Sequence, residues 1–368
     1  MEYKTPFSFV LLTLLGVLVS ACESDKPIVI GVLGTFSGKS SSFGLGNRNG
    51  VMLAVEEQNR RGGIRGRRIR LVVEDDGGRV DIAKKAFVEV LAEKPVAIIG
   101  PISSTMTLFL KPYADNSKLV MISPTATSTL LSDTDDYLFR VCSDSSAMAA
   151  KMAEYLRQRV TRVAVIYNLD NRAFSEDWFL HFSNKFTELG GELVTASTFN
   201  ADEQSQYFQY TGELMKANPE AVLIIGPAPD TAMFAQQIRK FDKDIIIAGA
   251  DGAASRHLIE LGNNAVERLL VAQPINHNDT SESFVKFRQA YLERYSEIPG
   301  FPAVRGYEAA QVLIRALKTG NTDVKNALLG LGEVPAVQGT IKFTATGDVF
   351  REPIITWVKA KRFVPAPR

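Results

Sequence analysis

The sequence is poor in the side chains that most often carry chemistry. It has two cysteines, three histidines and two tryptophans in 368 residues. Neither Cys22 nor Cys142 belongs to a CxxC pair or a His/Cys spacing that would hold a metal. His181, His257 and His277 stand apart, outside any HExxH or triad-like context, and read as surface or structural residues. An enzyme would need a nucleophile with its base, a metal set or a phosphate loop, and none is visible. Charge of one sign is missing too. The formal net charge of +1 leaves no concentrated basic face for nucleic acid or an anionic membrane, and Arg60-Arg61 and Arg67-Arg68 read as solvated surface. No repeat of roughly 20–50 residues, low-complexity tract or Pro-rich linker is present. Hydrophobic residues make up 45% and charged residues 23%, an ordinary globular balance, and the length suggests two domains.

What is present begins with a leader. Lys4 precedes FSFVLLTLLGVLV (7–19), an apolar run of signal-peptide length and too short for a comfortable membrane span. Glu2 leaves its charged start only weakly basic. The run ends in Val19-Ser20-Ala21-Cys22, which resembles the bacterial lipobox, where small residues fit the lipoprotein signal peptidase and the cysteine thiol takes diacylglycerol. Residues 1–21 are then signal peptide and 22–27 a lipidated N-terminus and linker. An ordinary cleaved signal with a chance cysteine is the alternative. With Cys22 lipidated, only Cys142 remains, so no internal disulfide forms, and Cys142 in the strand-like LFRVC reads as a buried small hydrophobe.

Past the linker, short apolar strands alternate with helical patterns, the signature of parallel α/β architecture. Strands are expected at 27–34, 68–75, 96–100, 119–123, 163–168, 221–226, 245–249 and 269–274. Val80, Ala83, Phe87, Val90 and Leu91 fall at helical spacing on one face. Continuously apolar strands imply sheets covered on both sides. From about residue 337 the pattern becomes QGTIKFTATGDV and EPIITWVKAKRFVP, where a Gly-Asp turn is expected to join strand-like runs.

Two strand ends look alike. IIGPISSTMT (98–107) and VMISPTATST (120–129) each pass from an apolar run through a proline to a burst of hydroxyl residues. These, with IGVLGTFSGKSSSFG, GVMLAVEEQNRRGGIRGRRIRLVVEDDGGR and the VAVIYN strand, resemble the type I periplasmic binding proteins of the leucine/isoleucine/valine-binding group, the solute receptors of bacterial ABC importers. The resemblance runs from about Ile28 to Trp357. It implies an α/β chain of two Rossmann-like lobes with parallel sheets, the Venus-flytrap fold, joined by three hinge crossings and closing on a ligand. The lobes would be 28–144 plus 276–351 and 145–275 plus 352–368. It also implies an exported, membrane-anchored protein without cofactor or metal, whose partners are a small ligand such as an amino acid, an ABC permease and, through the anchor alone, the membrane.

In open parallel sheets ligands gather beyond the carboxyl ends of strands, where helix N-termini present N–H groups and partial positive charge to a carboxylate. By resemblance, Ser104 and Thr127 hold the ligand α-carboxylate and Thr125 adds backbone contacts, whereas Ser103 and Thr105 read as helix caps. On the opposite lobe, Asp251 in IIIAGADGAAS matches an acidic group that pairs with the α-ammonium, or else caps the helix near Ala253. Phe43 and Phe174 match aromatic walls, or are plain core. Arg305, in PAVRGYEAA, stands where branched-chain receptors carry a bulky apolar residue; it either forms a hinge or surface salt bridge or meets a polar ligand group. Gly78 and Ser103 replace a cysteine pair of some members, Asn171 to Phe174 lack the usual tyrosine-glycine, and Ala228 replaces an aromatic, so leucine specificity does not follow. Asp75-Asp76 belongs to the family's strand-end pattern rather than to an acid-base pair. An envelope lipoprotein of this fold acting as sensor or regulator of a cell-wall enzyme is the remaining alternative. Ligand, permease, oligomeric state and the membrane that holds the anchor stay open.

Overall fold

The computed structural model describes residues 26–38, 41–200 and 206–367; Cys22 and the leader lie outside them. Strands β1 (Ile28–Gly34), β2 (Ile69–Asp75), β3 (Ala97–Ile99), β4 (Met121–Ser123) and β5 (Leu138–Arg140) make one parallel sheet in the order β2-β1-β3-β4-β5. Strands β6 (Arg162–Asn168), β7 (Glu192–Phe199), β8 (Ala221–Ile225), β9 (Ile246–Gly249) and β10 (Leu270–Gln273) make the parallel part of a second. A small antiparallel pair, β11 (Glu333–Pro335) and β12 (Thr340–Lys342), stands apart. Strands β13 (Ile354–Lys359) and β14 (Arg362–Pro365) return to complete the second sheet, β14-β13-β10-β9-β8-β6-β7.

All eight expected strands form. The apolar runs of the inner strands are buried on both faces, as in β8, where every residue is buried, whereas β2 at the sheet edge buries only Ile69 fully. β7 is additional: its sequence ELVTASTF is half-polar, and it sits at the sheet edge mostly half-exposed. The C-terminal expectation needs correction. Gly347-Asp348 does not close a hairpin, because β12 pairs with β11 while β13 pairs with β10 in the other sheet. The hairpin is β13–β14, turning through Ala360 and Lys361, both at positive φ (49° and 60°). Asp348 instead bonds Arg140, its Oδ1 accepting from Nε at 2.7 Å.

Helices α1 (Ser41–Arg60), α2 (Val80–Ala92) and α3 (Ser104–Ser117) follow β1, β2 and β3; α4 (Ser145–Arg157) precedes β6 and α5 (Arg172–Glu188) follows it. Helix α2 buries Ala83, Ala86, Phe87 and Val90, whereas Val80 and Leu91, expected on that face, lie at its exposed margins. Then come α6 (Tyr207–Lys216), α7 (Ala228–Phe241), α8 (Arg256–Gly262), α9 (Glu282–Tyr295), α10 (Phe301–Thr319) and α11 (Val324–Leu329). Helix α10 crosses α1 so closely that a Cβ on Gly306 would sit 2.2 Å from the Asn47 carbonyl oxygen. That crossing sets Phe43, near the start of α1, edge-on to Phe301 at 4.9 Å between ring centres.

The chain passes between the two lobes three times: after β5, after β10 and between β12 and β13. The first and third passages are tied together at Ser143, whose Oγ accepts from the Arg351 amide at 2.5 Å and donates to the Arg351 carbonyl at 2.9 Å. Strand ends of both sheets therefore face one cleft.

Candidate functional site

A cavity enclosing about 1070 Å³ of empty space, part of it open to solvent, lies between the lobes. One wall comes from loops after β1, β3 and β4 and the start of α1: Thr35, Ser42, Phe43, Ile102, Ser103 and Thr125. The facing wall comes from the ends of β6, β8 and β9: Asn168, Asp170, Phe174, Asp230, Asp251 and Ser255 among others. β3 reaches the cleft through Gly100, whose φ of +116° suits glycine, and where a Cβ would lie 1.9 Å from the Leu33 carbonyl oxygen.

Asp251 follows β9 in a short turn, 4% exposed. It does not cap a helix with its side chain. Its Oδ1 accepts from the Trp178 indole N–H at 3.0 Å, and burial pushes its carboxyl up to about 7, well above the ordinary 3.8. Phe43 and Phe174 both line the cavity, one from each lobe, and Phe174 is also packed in the second lobe's core.

On the first lobe the expected hydroxyls are displaced. Ser104 and Thr127 are buried and do not line the cavity. The Ser104 Oγ accepts from the amides of Thr127 (3.1 Å) and Ser128 (3.2 Å), which would otherwise lack partners, so this hydroxyl serves the loop behind the wall. Thr127 Oγ1 is buried with no hydrogen-bond partner among the described residues. Ser103 and Thr125 are the residues that reach the cavity. Ser103 caps α3 as expected, its Oγ accepting from Met106 N at 3.2 Å, so its proton stays available. Thr105 also caps a helix, but across the cleft: its amide donates to Asn171 Oδ1 (3.1 Å) and its Oγ1 accepts from Ala173 N (3.2 Å) in the first turn of α5. The first turns of α3 and α5, on opposite lobes, thus cap one another across the cleft. A second interlobe contact joins the Thr129 amide to Asp177 Oδ2 at 3.0 Å, and Asp177 also accepts from the hydroxyls of Thr129 and Ser145.

Arg305 does not line the cavity and forms the hinge salt bridge that is its other reading. It is 1% exposed, and its guanidinium is used internally: Nη1 meets Glu308 at 2.6 Å and Nη2 donates to the Pro274 carbonyl at 2.5 Å. A buried guanidinium needs a counter-charge, and Glu308, three residues on in α10, supplies it. Glu308 also faces Arg351 at 3.0 Å and accepts from Val337 N at 3.0 Å. Burial, with Arg305 beside it, lowers Arg351 to about 10. Because Pro274 and Arg351 lie on the second and third passages, Arg305 belongs to the pivot. Cys142 is a buried thiol there, raised to about 11 by burial. Asp75 and Asp76 shape loops: Asp75 Oδ1 accepts from Phe36 N and Gly77 N, both at 2.8 Å, and Asp76 Oδ1 from the Thr35 hydroxyl (2.7 Å) and Gly78 N (2.9 Å).

The residues not foreseen are Thr35, Ser42, Asn168, Asp170, Asp230 and Ser255. The signal that could have found several of them is the one already seen in the first lobe, since VAVIYNLDN and VLIIGPAPD also pass from an apolar strand into a polar burst. Among the described residues, no helix is long and apolar enough to cross a membrane, and no group of three or more His, Cys, Asp or Glu side chains could hold a metal.

The family model for periplasmic binding proteins matches residues 27–355. The Leu/Ile/Val-binding protein BraC3 of Rhizobium johnstonii is 24% identical over 351 residues, covering 92% of this chain and 93% of that protein. Among solved structures, the leucine-binding protein LivK of Thermotoga maritima superposes with a TM-score of 0.84 at 27% identity, covering 92% of this chain and 98% of that one. A solute-binding protein of R. palustris in complex with benzoate gives the same TM-score at 17% identity, with 92% and 95% covered, a likeness of fold alone. With a two-lobed α/β fold, strand ends converging on an interlobe cavity, a family match across nearly its whole length and a likeness to Leu/Ile/Val-binding proteins, the chain belongs to the periplasmic binding proteins: it is a solute-binding protein, not an enzyme.

Proposed function

We propose that this chain is an exported receptor lipoprotein that captures an α-amino acid between two closing lobes and delivers it to an ABC permease. The lobes on this reading are residues 28–144 with 276–351 and 145–275 with 352–368, anchored through diacylglycerol on Cys22. The observation that carries the ligand class is Asp251, a carboxylate buried in the cavity wall with only neutral donors beside it, its own amide and the Trp178 indole. A buried carboxylate that is to stay charged calls for a cation, and the α-ammonium is the cation every amino acid has. The opposite wall offers the Ser103 hydroxyl and the first turn of α3, whose partial positive charge suits the α-carboxylate. A carboxylate without an ammonium, such as the benzoate of the R. palustris protein, would leave Asp251 without its partner.

A thermal-shift screen of the protein against the common amino acids is the test. A ligand at 100 times its Kd adds about 2.7 kcal/mol of stability. Calorimetry of the ligand found should show Asp251→Ala binding at least about 25-fold more weakly, since truncating one partner of a buried charge pair costs roughly 2–5 kcal/mol. Equal affinity in the variant removes Asp251 from the site. The anchor is tested separately: wild type should enter the detergent phase and Cys22→Ala the aqueous phase, because stable anchoring takes more than one acyl chain. Equal partitioning into water refutes the lipoprotein reading.

A further inference from the structure

The direction of two hydroxyl protons narrows the ligand further. Thr125 and Thr35 both line the cavity on the first lobe, and each is 7% exposed. Thr125 Oγ1 lies 2.7 Å from the Ile102 carbonyl oxygen, which can only accept, so the Thr125 proton is committed to it. Thr35 Oγ1 lies 2.7 Å from Asp76 Oδ1, which already accepts the Gly78 amide at 2.9 Å and is therefore the acceptor in this contact as well. Asp76 is fully buried, and its other oxygen has no hydrogen-bond partner among the described residues, so a proton taken up by this carboxyl would sit there and leave the Thr35 bond intact. A hydroxyl has one proton. With both protons turned inward, Thr35 and Thr125 present only lone pairs to a ligand.

That has a consequence for the side chain. On the amino-acid reading the α-ammonium is taken by Asp251. Thr35, just past the end of β1, lies beside Gly78: a Cβ on Gly78 would meet Thr35 Cγ2 at 3.5 Å and Oγ1 at 3.9 Å, so the missing side chain at Gly78 leaves the Thr35 hydroxyl uncovered. An aliphatic side chain there would leave an oriented, nearly buried acceptor without a donor, which costs as much as a lost hydrogen bond. A site built to hydrogen-bond a substrate N–H rejects the analogue without it far more strongly than an apolar pocket rejects a wrong size.

We propose that the ligand is an α-amino acid whose side chain ends in an N–H donor, an amine, amide or guanidine, and that Thr35, oriented by Asp76, is the residue that selects it. Phe43, Phe174 and Ile102 then flank its stem. This rests on the amino-acid reading above.

The test compares probes that differ in that donor: L-lysine, L-arginine and L-glutamine against L-norleucine, L-methionine and L-glutamate, titrated into the purified full-length protein. At least one of the first three should bind tenfold or more tightly than any of the second. Thr35→Val, which keeps the β-branched shape and loses the oxygen, should erase that preference, and Thr35→Ser should restore it. Leucine or norleucine binding as tightly as the best donor-bearing probe overturns the selectivity while leaving the amino-acid reading intact. A preference that survives in Thr35→Val overturns the role of Thr35. Absence of binding by every amino acid overturns the functional reading and this inference with it.

Discussion

On the proposed amino-acid reading Asp251 is the residue on which binding turns, and its protonation makes a sharp expectation. Burial raises its carboxyl from 3.8 to about 7, so the folded, unliganded protein binds this proton more tightly than the unfolded chain does. The stability due to the protonated form is fully present below about pH 4 and is lost as the pH rises through 7; the difference of about 3 pH units corresponds to at most about 4 kcal/mol. An ammonium ligand reverses the preference, because it favours the carboxylate. Binding at pH 6 should therefore release close to one proton, and binding at pH 8.5 almost none. Calorimetry in two buffers of different ionisation enthalpy reads this directly. Proton-neutral binding at pH 6 would mean that the ammonium is held elsewhere. Asp251 was legible in the sequence because it stands just past an apolar strand between small residues. Ser104 was not assignable by the same logic: which of Ser103, Ser104 and Thr105 faces the cavity depends on the turn of α3 relative to the loop at 125–128, and sequence spacing does not carry that rotation.

At the level of elements, strands whose both faces are covered announced themselves, since such strands are apolar throughout. β7 did not, because an edge strand keeps one side wet and its Thr and Ser residues read as loop. The last strands were assigned to one hairpin because a Gly-Asp pair is a strong local turn signal, whereas the true turn at Ala360-Lys361 has none and is held by the pairing of β13 and β14. The mutual capping of α3 and α5 was likewise invisible, being a contact between residues 66 and 68 positions apart on different lobes. It supports a prediction. Thr105→Val removes the acceptor of the Ala173 amide only in the closed arrangement, so it should weaken ligand binding by roughly 2- to 10-fold, the worth of one ordinary hydrogen bond. Unfolding of the unliganded variant should stay within about 0.5 kcal/mol of wild type. Undiminished affinity would show that the two helix ends are apart in the liganded protein as well.

For the whole molecule, what matters is that the two halves of the site ride on different sheets and that the joint between them is built from charge. Arg305, Glu308 and Arg351 connect the helix α10 to the second and third passages, and Ser143 brings in the first. A buried ionic cluster of this kind ties the three passages together without filling the cleft, so that on the proposed closing motion the lobes would turn about it while their cores stay packed. Opening would then separate Thr105 from Asn171 and Ala173, and Thr129 from Asp177. Those few hydrogen bonds are exchanged for bonds to water at little net cost. Opening also hydrates Asp251, which at neutral pH favours the open form of the empty protein. On the proposed reading an amino acid would tip the balance because it alone supplies a cation to Asp251 and a carboxylate to the α3 end at the same time, contacts that would exist only with the lobes together. A compact chain of this length has a radius of gyration of about 20 Å. Small-angle scattering at pH 7.5 should give a larger value without ligand, falling on saturation with the amino acid found in the screen. In Asp251→Asn, where no charge needs hydration, the unliganded protein should already be more compact than wild type. A radius that ligand leaves unchanged in wild type would describe a rigid scaffold whose cleft does not close.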